Sequence, residues 1–79
     1  MSFLFVNVAP TDESRYMVVD NVTSCQLLVQ AVHNKLGIGE HDVQKIEVRI
    51  RDRYVSLDEE AIELIKAGAS DTIRVTLYT

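Results

Sequence analysis

The sequence predicts one α+β domain over residues 1–79, a mixed sheet packed on one long helix with a short second helix. Two observations carry that expectation. Five short segments read as strands, with clean apolar–polar alternation at Lys45 to Arg51 and in the last, and one central segment carries helical spacing behind a capping signal. Their order is strand, strand, helix, strand, strand, short helix, strand. At 79 residues the chain buries only about 60 to 65 % of its unfolded surface, which is enough for one core and not two.

The first strand is expected at Ser2 to Ala9, where Phe3, Leu4, Phe5, Val6 and Val8 concentrate β-forming side chains. Alternation sends Leu4, Val6 and Val8 to one face and Phe3, Phe5 and Asn7 to the other. Pro10-Thr11-Asp12-Glu13 supplies turn chemistry before a second strand at Arg15 to Val19. The phase of that strand is open, since either Tyr16 with Val18 or Met17 with Val19 can face inward.

The long helix is expected to begin at Thr23, with Gln26 completing a capping box and Val22 packing on Leu27. Cys25, Leu28, Val32 and Leu36 recur at spacings of three and four and form its buried stripe. Gly37 ends it as a left-handed cap, over which Ile38 closes. Lys45 to Arg51 then alternates, with Ile46, Val48 and Ile50 inward and Glu47, Arg49 and Arg51 outward. Asp52-Arg53 is the expected turn into a short strand at Tyr54 to Leu57. Ser56 and Glu59 form a second capping box for a short helix through Ala61, Ile62, Leu64 and Ile65, with Lys66 at its end and Gly68 at its exit. The last strand places Ile73, Val75 and Leu77 inward and Arg74, Thr76 and Tyr78 outward.

Composition narrows the functional classes. Hydrophobic residues make up 47 % and charged residues 25 %, the balance of an ordinary globular domain. A net charge of -4 argues against a general electrostatic grip on nucleic acid or anionic membrane. The single Cys25 rules out an internal disulfide and favours a reducing compartment, cytoplasmic or nuclear. The apolar start lacks the basic region of a signal peptide, and no run approaches the roughly 18 apolar residues of a membrane span.

The element order, the helix exit Lys35-Leu36-Gly37-Ile38 and the final strand Asp71-Thr72-Ile73-Arg74-Val75-Thr76-Leu77 resemble the ubiquitin-like β-grasp superfamily across essentially the whole chain. That resemblance implies a mixed sheet whose first and last strands run parallel at its centre. It also implies departures in function. The family's modifiers and sulfur carriers end in a flexible Gly-Gly tail, whereas this sequence reads Leu77-Tyr78-Thr79, so a modifier or carrier requires a longer C-terminus. The aliphatic recognition positions of ubiquitin correspond here to Glu47 and Thr76. The ending and length are similar to the small YukD-type proteins that accompany bacterial type VII secretion. Asp52 with Asp58-Glu59-Glu60 gives a weaker likeness to a PB1-like oligomerisation domain, without its Asp-Gly-Asp centre.

Catalysis finds little support. Cys25 and His33 are eight positions apart on one helix, about 80° and roughly 12 Å, too far for a nucleophile and its base. His33 and His41 have no partners at metal-ligand spacing, and no glycine-rich phosphate loop lies between a strand and a helix. No metal, cofactor or catalytic residue is expected. The acidic run Asp58-Glu59-Glu60 is explained by the dipole of the helix it opens. The expected functional surface is the outward sheet face, formed by Phe3, Phe5, Arg49, Arg51, Arg74 and Tyr78, because aromatic and arginine side chains are enriched at protein interfaces. The same mixture suits single-stranded nucleic acid, but the acidic balance and the missing RNP-type pattern argue against it. The expectation is a non-catalytic interaction module whose partner is another protein or a second copy of itself.

Overall fold

The computed structural model describes residues 3–9, 11, 13–18 and 24–78, except for the side chain at position 40. Five strands form one sheet: β1 (Phe3–Ala9), β2 (Glu13–Val18), β3 (Val43–Ile50), β4 (Arg53–Ser56) and β5 (Thr72–Leu77). Two helices, α1 (Cys25–Leu36) and α2 (Glu59–Lys66), complete an α+β domain. The strand order is β2-β1-β5-β3-β4, with β1 and β5 parallel and every other neighbouring pair antiparallel.

Alternation along the strands sorts the two faces. Leu4, Val6, Val8, Met17, Val48, Ile73 and Val75 are buried on the inner face, where they meet Leu28 and Val32 of α1 and Ala61, Ile62 and Ile65 of α2. Burial of Met17 fixes the phase of β2 and leaves Tyr16 and Val18 outward. Each side chain fully removed from water here contributes about 1.5–3 kcal/mol, and truncating one such as Leu28 to Ala costs about 2–5 kcal/mol. Leu64 of α2 is exposed.

Helix ends differ from the sequence expectation at both N-termini. Ser24 caps α1, its side chain accepting from the Leu27 amide, so the helix starts one residue later than a Thr23 cap requires. Thr23 and Val22 lie outside the described residues, as do Ser2, Pro10, Asp12 and Val19 of the expected first hairpin. Asp58, not Ser56, caps α2 by accepting from the Ala61 amide at 2.8 Å, leaving Glu59 and Glu60 in the first turn. The exits follow the glycines: Gly37 (φ 68°) and Gly68 (φ 80°) take the left-handed conformation. The amides of both Gly37 and Ile38 donate to the His33 carbonyl, which brings Ile38 back against the core.

Two irregularities position the outer face. Between Val43 and Lys45 the register of β3 slips against β5, so two residues of β3 span one step of its partner. Val43 therefore packs inward beside Leu77, although it shares its parity with the outward Lys45. At the other end of β3, the pairing of Ile50 with Arg53 sets the hairpin turn at Arg51-Asp52, one residue earlier than expected. Arg51 consequently leaves the strand and takes a positive φ of 58°, a conformation costing a non-glycine residue about 1–2 kcal/mol.

Candidate interaction surface

Register places the outward side chains in two groups. On β1 and β2 the pairs Phe3 with Val18, Phe5 with Tyr16 and Asn7 with Ser14 face outward. Phe3 (51 % exposed), Phe5 (48 %), Tyr16 (58 %) and Val18 (45 %) form an aromatic and aliphatic patch without a formal charge at any outward position of the two strands. The Phe3 and Tyr16 rings meet edge to face, 6.0 Å between centroids and 68° between planes. Lys35, reaching from α1, sets its ammonium 5.8 Å from the Tyr16 ring centroid.

The second group lies across β5, β3 and β4. Arg74 pairs with Glu47 in register and donates to Glu47 Oε1 through Nε at 3.2 Å and through Nη2 at 2.7 Å. Lys45 adds a longer contact to the same oxygen at 3.7 Å. The Glu47 side chain is only 14 % exposed, and its carboxyl is held below the ordinary 4.5. The hydrogen bond from Arg74 is the main cause; partial desolvation opposes it, and the positive charges of Arg74 and Lys45 assist. The Arg74 guanidinium also lies 4.1 Å from the centroid of the Tyr54 ring. Its positive charge, planar face and two of its donors are thus already engaged within the molecule. A shallow depression beside it is lined by Asn7, Ala9, Tyr54 and Arg74.

The six sequence-predicted residues do not form one patch. Phe3 and Phe5 are exposed neighbours, but Phe5 lies level with Thr72, while Arg74 is beside Asn7 and Thr76 beside Ala9. Tyr78 follows the end of β5, where its amide donates to the Asp42 carbonyl, and it stands about 20 Å along the strand direction from Phe5. Arg49 is exposed and turns its Nε onto the Arg51 carbonyl. Arg51 sits at the hairpin tip instead of on the face. Tyr16 and Val18 join the patch, and Tyr54 joins the charged group, although the sequence expectation named none of the three as site residues. Their signal was there in part: choosing Met17 as the inward residue of β2 would have exposed both Tyr16 and Val18.

Comparison with known proteins places no family beside this geometry. No family model matches the chain, and neither curated protein sequences nor solved structures yield a match.

The nucleophilic and metal-ligating residues stand apart from both groups. Cys25 opens α1, and its amide donates to Glu59 Oε1 at 3.4 Å, tying the starts of the two helices together. Burial pushes its thiol up from 9.0, and the hydrogen bond to Glu59 and the negative charges of Glu59 and Asp58 push it the same way. Such a thiol stays protonated at neutral pH, the opposite of an activated nucleophile. His33 lies two turns further along α1, in a depression with Val29, Gln30 and Asn34. Among the described residues no three His, Cys, Asp or Glu side chains converge as metal ligands, and no helix is long and apolar enough to cross a membrane.

Proposed function

We propose that this chain is a ubiquitin-like β-grasp domain that works as a non-catalytic protein-interaction module and docks through its outward sheet face. The strand order, the parallel β1–β5 pair, the helix packed on the inner face and the Gly37-Ile38 helix exit support the fold assignment. The observation that carries the docking role is the uncharged patch of Phe3, Phe5, Tyr16 and Val18, where four large side chains stay close to half exposed on adjacent strands. Water contact with so much aromatic surface is costly, and a partner covering it gains about 25 cal/mol for each Å² removed from water. Docking is centred on these four residues, with the Arg74–Glu47 pair as a preformed polar border.

The test compares proteins retained from a lysate of the source cells by immobilised wild type and by the Phe5→Ser, Tyr16→Ser double variant. Loss of specific retention in the variant, with an unchanged circular dichroism spectrum, is the expected result. Equal retention by both proteins would remove the patch from the account.

A further inference from the structure

We propose that the outer edge of β4 pairs antiparallel with β4 of a second copy of this chain, about a two-fold axis between their Val55 residues. This goes beyond the docking face, because it uses the far edge of the sheet and names its occupant. Hydrogen bonding alternates along an antiparallel pair, and the Leu57 amide donates to the Ile46 carbonyl of β3. Arg53 and Val55, which pair with Ile50 and Val48, therefore also turn their amides and carbonyls toward β3, while Tyr54 and Ser56 turn theirs outward. Among the described residues no strand or other backbone group meets that outer side. The strand carries neither proline nor a bulge against β3, two of the usual guards of a sheet edge. The opposite edge differs, because Lys35 of α1 reaches the outward Tyr16 past β2.

Backbone, packing and charge each suit this edge to a copy of itself. A two-fold pairing that keeps both inner faces on one side sets the axis at a residue, since directly opposed residues must share a face. With the axis at Val55, Tyr54 of each copy stands opposite Ser56 of the other, so both outward-turned residues of each strand exchange hydrogen bonds. An axis at Tyr54 or at Ser56 would engage only one of them within the strand. The register draws on Arg53 to Leu57, the whole of the edge. Val55 shares the inner face with Val48 yet is 42 % exposed, at a depression that it lines with Ile50 and Arg53, and the axis brings two such valines together. Among the described residues neither Arg51 nor Arg53 has an ion-pair partner in its own copy. The same register lays the hairpin tip, with these two arginines and Asp52, alongside the start of α2 in the other copy, where Asp58, Glu59 and Glu60 are exposed. That contact of opposite net charge occurs twice by symmetry.

Sedimentation velocity over a concentration series, joined to thiol cross-linking, tests this. Wild type shows reversible dimerisation. Val55→Lys sets two ammonium groups against each other on the axis and weakens the dimer by about tenfold or more. In a Cys25→Ala background, Val55→Cys is oxidised by glutathione disulfide to a covalent dimer, because an opposed pair without hydrogen bonds has its Cα atoms about 4.5 Å apart, within disulfide reach. Ser56→Cys in the same background faces Tyr54 of the other copy and does not cross-link. Unchanged circular dichroism spectra confirm folding of each variant. A wild type monomeric to millimolar concentration, a Val55→Lys protein that dimerises as wild type does, or a Ser56→Cys protein that cross-links as fast as Val55→Cys overturns the proposal. The aromatic patch keeps its own test, since Phe5→Ser with Tyr16→Ser leaves β4 in place. A dimer lost in that variant and kept in Val55→Lys would move self-association to the patch and overturn the edge pairing.

Discussion

The two halves of the outward sheet face handle the same problem differently. Across β5, β3 and β4 the long side chains satisfy one another: Arg74 grips Glu47 and lies over Tyr54, and Lys45 reaches the same carboxylate. Across β1 and β2, Phe3, Phe5, Tyr16 and Val18 stay in water with only each other and the Lys35 ammonium for company. An arginine on a sheet face is therefore not by itself a docking residue. Arg74 has a partner within the fold, and docking elsewhere on the face avoids the cost of removing it.

This contrast predicts unequal responses to substitution. The largest is expected for Arg74→Glu, which loses two hydrogen bonds and places a second carboxylate against the largely covered Glu47. Thermal or urea unfolding should show a loss of about 2 kcal/mol, reduced from the fully buried case because Arg74 remains partly solvated. A change within about 0.3 kcal/mol would mean that the pair contributes nothing and that the two halves do not differ as described.

A smaller effect is expected from acid. Because the folded protein holds the Glu47 carboxyl below its ordinary 4.5, the stabilisation from its ionised form is complete above that value. It is lost as pH falls through the depressed folded value. Glu47→Gln should flatten the fall in stability below about pH 4.5, measured by urea unfolding from pH 6 to pH 2.5, relative to wild type. Parallel curves for the two proteins would show that Glu47 has no share in the acid response.

The smallest effect on stability belongs to the aromatic half. Phe5→Ser removes a half-exposed ring and its cross-strand pairing with Tyr16, with an expected cost below about 1 kcal/mol in urea unfolding. A cost approaching that of a buried residue would mean that the ring is structural and not held open for a partner.

The inner face was the most legible part of the sequence. Val48, Ile73 and Val75 alternate with polar residues, and that period alone assigns them to the core, whereas in β1 it only separates Leu4, Val6 and Val8 from Phe3 and Phe5. Cap positions were less legible, because Thr23 and Ser24 are adjacent and chemically similar, and Asp58 competes with Ser56 for the second helix. The turn at Arg51-Asp52 was misplaced because the alternation of Lys45 to Arg51 runs on past the point where pairing stops, with no glycine to mark it.

The candidate surface suffered most from register. β1 and β5 are parallel and joined by the rest of the chain, so no hairpin turn fixes their alignment. Their composition says which side chains share a face but not that Phe5 stands level with Thr72. Nor could the sequence tell that Glu47 lies directly across from Arg74, the pairing that turns an expected docking residue into an internally satisfied one.

The most direct test sets the two halves against each other in one measurement. Proteins retained from a lysate of the source cells are quantified for wild type, for Phe3→Ser with Tyr16→Ser, and for Lys45→Ser with Arg49→Ser, which alters the charged half while sparing the Arg74–Glu47 pair. Loss of retention in the aromatic variant and wild-type retention in the charged one is the predicted result. The reverse pattern, retention surviving the aromatic substitutions and failing with the charged ones, would contradict the assignment of docking to β1 and β2.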